Sequence, residues 1–131
     1  MTQTPSASDA AVSPEDKLSE RLAVLAEPFR DEAQDVATYN QLMTVISLAW
    51  NVAVLPRAER AEQLFGFMQQ TGMDSTNKAL VQLLSDLVDL KDVKFPDDQR
   101  WIRDWKVIET EQGLSMVVGA CDYQPGMKLG Q

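Results

Sequence analysis

Two acidic pairs have the residue types and the spacing to hold a metal ion. They are Glu59-x-x-Glu62 and Asp86-x-x-Asp89, each in a segment with helical periodicity. Residues three apart lie on one side of a helix, and carboxylates are the hard oxygen ligands that Mg²⁺ takes in proteins. The chain has no histidine, which excludes Ser-His-Asp, Cys-His and zinc-type sites within one chain. Magnesium-assisted hydrolysis is therefore the chemistry open to these pairs.

The doublets resemble the carboxylate motif of the all-α nucleotide pyrophosphatases of the MazG type, which hold magnesium on two helices. That resemblance implies a magnesium-dependent nucleotide hydrolase with four ligands: Glu59, Glu62, Asp86 and Asp89. Helical geometry opposes it, because Asp86 and Asp89 lie roughly 120 to 180° from the leucine stripe of their helix. Glu59 and Glu62 also point away from the apolar face of their own helix. We therefore expect solvent-facing carboxylates, no metal and no cofactor.

A stripe of uncharged polar residues runs along the charge-free segment Leu42–Leu55. Asn40, Thr44, Ser47 and Asn51 recur at steps of four, three and four, so they line one face of an otherwise apolar helix. Such a helix is buried on most sides. The stripe is a thin solvent seam, a set of interhelical hydrogen bonds, or the floor of a groove for a peptide or partner helix. Because it lacks Lys and Glu, we expect it to be half-buried.

A second candidate surface combines tryptophan and arginine. At the period of a strand, Trp101, Arg103 and Trp105 share one face. Exposed tryptophan and arginine are typical interface anchors, and Arg103 is placed for a cation–π contact. The alternative is that the tryptophans cover the helical body and the charges lie at its outer edge, and we expect core packing for at least one of them.

Periodicity and turn residues predict an α+β fold, mostly helical, with a four-helix body and a C-terminal antiparallel β-hairpin packed on it. A single domain spans 13–122, between a disordered leader, 1–12, and a flexible tail, 123–131. The predicted helices are 14–26, 30–54, 57–70 and 75–91, and the predicted strands are 100–110 and 114–121. Ser13 is the expected N-cap of the first helix, and Asp74 or Ser75 that of the fourth. A lone hairpin is marginal in water, so we expect it to pack on the helices, to pair with a second copy in a homodimer, or both.

The composition limits the classes of partner that the protein can bind and indicates its cellular compartment. The chain has 131 residues and a net charge of −8, which argues against phosphate and anionic-membrane binding. The uncharged run is shorter than the roughly 20 residues of a spanning helix. A single cysteine, Cys121, excludes an intrachain disulfide and suits a reducing compartment. We expect a cytoplasmic protein that binds neither nucleic acid nor membrane.

Two short motifs carry a family resemblance. Ile46-Ser-Leu-Ala-Trp-Asn51, together with Phe95-Pro-Asp-Asp and the Trp101–Trp105 segment, resembles small bacterial proteins with a helical body and a C-terminal hairpin. The resemblance implies the fold and carries no activity. The preferred hypothesis is a non-catalytic acidic protein that binds another protein, as an adaptor, chaperone or regulatory subunit. One alternative is the magnesium-dependent hydrolase. The other is an acidic inhibitor that imitates nucleic acid, and only the net charge of the chain supports it.

Overall fold

Four helices precede a two-stranded antiparallel hairpin in the computed structural model, which describes residues 17–111 and 113–129. The helices are α1 (Leu18–Ala26), α2 (Val36–Val54), α3 (Arg57–Thr71) and α4 (Lys78–Lys94), and the strands are β1 (Arg100–Thr110) and β2 (Gly113–Asp122). This arrangement confirms the predicted α+β class. The leader lies outside the described residues, as does the predicted cap Ser13.

Two predicted helix starts are wrong. The second helix begins at Val36 and not at residue 30, because residues Glu27–Glu32 form a 3-10 segment and the Asp35 carboxylate accepts a 2.7 Å hydrogen bond from the Thr38 N–H as an N-cap. The fourth helix begins at Lys78, capped by the Asn77 side chain. Asp74 instead accepts the Thr76 N–H in a turn of its own.

Helix α2 is the centre of the fold and contacts every other helix as well as β1. Its buried residues face in all directions and include Met43, Ile46, Ala49 and Trp50, each fully buried. A helix covered on this many sides needs an apolar surface nearly all round, which its sequence provides. Among the described residues, no helix combines the length and the apolar character that crossing a bilayer requires.

Arg60 joins three helices at the end of α2. Its guanidinium donates to the carbonyl oxygens of Ala53 (2.6 Å) and Leu55 (3.1 Å), which the end of a helix leaves without helical partners. The same group pairs with both carboxylate oxygens of Asp92 on α4, at 2.8 and 3.2 Å. Arg57 reaches the same carboxylate at 3.5 Å, but its side chain is 81% exposed. The short α2–α3 connection is therefore fixed by one arginine.

The segment after β2 packs against the helices, unlike the flexible tail expected from sequence. The Tyr123 ring lies 5.6 Å from that of Trp101, and Leu129 is only 7% exposed. The Gln63 amide accepts from the Leu129 N–H at 3.1 Å and donates to the Met127 carbonyl at 3.4 Å. Gln63 therefore holds Met127 and Leu129 against α3, while Tyr123 packs on β1.

Replacing Arg60 with Met should lower the free energy of unfolding by about 2 kcal/mol, because charged hydrogen bonds to Asp92 and to two helix-end carbonyls are lost. The matched change Arg57→Met removes a solvent-exposed pair and should cost about 0.5 kcal/mol or less. Urea denaturation of both variants measures the difference. Equal losses would show that Arg60 does not fix this junction.

Candidate functional site

The acidic doublets do not converge. Glu62, Asp86 and Asp89 are exposed and Glu59 is half-buried. Glu59 accepts a hydrogen bond from Gln63, and Asp86 accepts one from Gln82, each on its own helix. Within residues 17–111 and 113–129, no three acidic or cysteine side chains come together in a way that could hold a metal ion. These carboxylates are therefore separate surface charges.

The polar stripe of α2 divides into two halves with different surroundings. Asn40 and Thr44 are exposed, and the Thr44 hydroxyl donates to the Asn40 carbonyl one turn back at 2.9 Å. Ser47 is buried, and its Oγ has no hydrogen-bond partner among the described residues. Asn51 is half-buried and faces the hairpin. No single groove floor runs from Asn40 to Asn51.

Asn51 acts as a substitute for a neighbouring strand. Its Nδ2 donates to the Ile102 carbonyl at 3.0 Å, and its Oδ1 accepts from the Ile102 N–H at 2.9 Å. One turn of α2 therefore satisfies both outward backbone groups of a β1 residue. The indole of the adjacent Trp50 donates to the Arg100 carbonyl at 2.7 Å, which covers the next outward group along β1. These bonds anchor the hairpin to α2.

The predicted tryptophan and arginine patch does not form, because β1 contains a bulge. Trp101 pairs with Cys121 and Trp105 with Val118, and the register shifts between Ile102 and Asp104. Since Cys121 and Val118 are three positions apart on a regular strand, the two tryptophans lie on opposite faces. The extra residue is the exposed Arg103.

The two tryptophans therefore differ in their surroundings. Trp101 is buried against Tyr123, whereas Trp105 is half-buried. Across from the bulge, a Cβ at Gly119 would overlap the carboxylate of the exposed Asp104, so a larger residue there would require this side chain to turn away. The cation–π contacts of the described chain involve Arg21 with Phe95 and Lys91 with Trp50.

A buried charge cluster lies where α1 and α4 meet the start of β1, and the sequence analysis missed it. Asp98 pairs with Arg100 at 2.6 Å and with Arg21 at 3.0 Å, and its side chain is 4% exposed. Its backbone carbonyl accepts a 2.6 Å hydrogen bond from Lys91 Nζ, itself only 1% exposed. A signal was present, because Lys91 occupies the apolar stripe of α4, which also contains Leu84, Leu87 and Val88.

Both buried groups titrate away from their ordinary values. Burial raises the pKa of the Asp98 carboxyl, but hydrogen bonds from Arg100 and the charges of Arg100 and Arg21 outweigh it, so the pKa lies below its usual range. Burial lowers the pKa of the Lys91 ammonium, and the charges of Asp98 and Asp92 partly oppose this. The cluster lies beneath an open cleft of about 750 Å³, lined by residues that include Lys94, Phe95 and Asp122. It serves to fix the turn before β1.

The outer edge of β2 has no hydrogen-bonded neighbouring strand among the described residues. In an antiparallel pair, opposed residues alternate between bonding each other and turning their backbone groups outward. Ile102 turns its groups outward to Asn51, so its partner Ala120 turns its own away from β1. At alternate positions the same holds for Leu114, Met116, Val118 and Asp122. No hydrogen bond to these backbone groups is formed within 17–111 and 113–129.

The open edge also lacks the features that prevent pairing between proteins. Natural edge strands carry Lys, proline or inward charges, yet the strand from Gly113 to Cys121 has neither a charge nor a proline. Val117, in the middle of β2, is 58% exposed. The bulge lies on β1 and leaves β2 regular. Among the described residues, this strand edge therefore has no charge, proline or bulge between Gly113 and Cys121.

No protein-family model, curated protein or solved structure matches the chain. The two family resemblances drawn from short motifs stay predictions.

Replacing Asn51 with Leu should lower the free energy of unfolding by about 2 to 3 kcal/mol, because the Ile102 N–H and carbonyl lose their partners. The same change at Asn40, on the exposed half of the stripe, should alter it by no more than about 0.5 kcal/mol. Urea denaturation, monitored by circular dichroism, measures the free energy of unfolding of both variants. A negligible effect of Asn51→Leu would mean that these hydrogen bonds do not hold the hairpin.

The Asp98 carboxyl should make the free energy of unfolding depend on pH. Because its folded pKa is lowered, the charged carboxylate stabilises the fold above the unfolded pKa, and this contribution is lost as pH falls through the folded pKa. Asp98→Asn should reduce stability at pH 7 and flatten the decline below about pH 4. The neighbouring exposed residue provides the control: Asp97→Asn should keep the wild-type profile. Superimposable pH profiles for the two variants would contradict this role.

Proposed function

We propose that this chain is a non-catalytic, cytoplasmic protein-binding protein, an adaptor, chaperone or regulatory subunit, that binds an extended segment at the outer edge of β2. The observation that carries the proposal is a row of five β2 residues whose outward backbone groups form no hydrogen bond in the described chain. A strand added there would satisfy both sets of backbone groups.

Side chains next to the edge would supply specificity. The two faces of β2 differ: Met116 is buried towards the helices, whereas Val117 and Ser115 lie exposed on the other face. An added strand would therefore bring alternate apolar side chains beside Val117.

Some residues that were predicted from the sequence to lie at a partner surface have structural roles instead. Asn51 and Trp101 hold the hairpin in place, through hydrogen bonds to β1 and contact with Tyr123. Arg103 is exposed and Trp105 is half-buried on β1, beyond the Arg100–Ile102 end that α2 contacts through hydrogen bonds. The contact surface thus moves from the tryptophans to β2.

A charge placed on the open edge should weaken binding. A photoreactive amino acid at Val117 should form an adduct with the partner in cells, and the partner so identified can then be titrated. Val117→Lys should weaken its binding by about tenfold, equivalent to about 1.4 kcal/mol. The matched change Val93→Lys on α4, where the valine is 78% exposed, should alter binding less than twofold.

Two results would contradict the proposal. One is that both lysine variants bind the partner as well as the wild type does. The other is that the amide hydrogens of Met116, Val118 and Ala120 exchange equally fast in the free and the bound protein, since an added strand must protect them.

A further inference from the structure

We infer that the strand which occupies the β2 edge is β2 of a second copy, antiparallel and related by a two-fold axis that passes through Val117. The product is a four-stranded sheet in the order β1-β2-β2-β1. This inference depends on the proposed function, because it names the occupant of the same edge.

The backbone groups of two copies match without adjustment. With the axis at Val117, the outward groups of Met116 lie opposite those of Val118 in the second copy, and those of Leu114 lie opposite Ala120. Each of these pairs turns both its N–H and its carbonyl towards the partner. A foreign peptide would leave its own far side unpaired, whereas a second copy closes the open edges of both.

Charge restricts where two copies can meet. Each copy carries −8, so contact through an acidic surface is unfavourable. From Gly113 to Cys121 the edge has no charge, and the nearest charged residues flank it at Glu111 and Asp122. A self-pairing surface must also match its own image, and from Gly113 to Cys121 the two strands oppose no charged side chains, whereas at each end Asp122 comes beside Glu111 of the second copy.

The exposed valine selects the register. An axis at Met116 would place Val117 opposite Ser115 of the second copy, and an axis at Val118 would place it opposite Gly119. Of these three registers, the axis at Val117 is the one that places it opposite another apolar side chain, namely itself. Because Val117 directs its backbone groups towards β1, this pair is of the non-hydrogen-bonded type, in which Cα atoms lie about 4.5 Å apart.

That separation can be tested by a disulfide, which needs Cα atoms roughly 4.4 to 6.8 Å apart. In the full chain with Cys121→Ala, Val117→Cys should give mostly disulfide-linked dimer under mild oxidation. Ser115→Cys, exposed on the same face of the same strand, should give no more dimer than Val93→Cys, which reports random collision. Equal crosslinking of the three variants would overturn the inferred pairing.

Sedimentation of the unmodified chain gives a second readout. The wild type should approach twice the mass of one chain as its concentration rises, and Val117→Lys should keep the mass of one chain. A wild type that sediments as a single copy at several hundred micromolar would overturn the inference. If the photoreactive residue at Val117 then attaches to a different protein, the proposed function stands without the second copy. If it attaches to nothing above the level given by the same photoreactive residue placed at Val93, the inference and the proposed function both fail.

Discussion

The backbone polar groups on the outer side of β1 must find partners, and the rest of the structure depends on how α2 supplies them. Trp50 and Asn51 donate to the carbonyls of Arg100 and Ile102, and Asn51 also accepts the Ile102 N–H. The backbone of a helix cannot form a ladder of hydrogen bonds with a strand. Side chains of α2 therefore supply hydrogen bonds that a neighbouring strand would otherwise make. Because α2 reaches only the Arg100–Ile102 end of β1, the rest of the outer side of β1 and the outer side of β2 have no hydrogen-bonded neighbour among the described residues.

A second group of contacts fixes the turn that leads into this strand. Lys91 is buried in the apolar stripe of α4 and donates to the Asp98 carbonyl, while the Asp98 carboxylate pairs with Arg21 and Arg100. Removing one member of such a buried set leaves another charge without compensation. The cluster and Asn51 together determine where β1 begins and how it lies on the helices.

The sequence was sufficient to predict the elements, but not their long-range partners. Apolar periodicity predicted the helices and alternation the hairpin, whereas the start of α2 was missed because Asp35 provides a cap beyond a 3-10 segment. A single extra residue at Arg103 reverses every face after it, so strict alternation wrongly placed the two tryptophans together. Asn51 was singled out, but its partner is 51 positions away.

That separation has a consequence for the order in which the chain folds. The hairpin closes over a few residues, and each helix forms from neighbours, whereas the Asn51–Ile102 contact requires a loop of about fifty residues to close first. We therefore expect the hairpin to dock on α2 late in folding. Before docking occurs, both edges of the hairpin are unpaired, and newly made chains are at their most prone to aggregate.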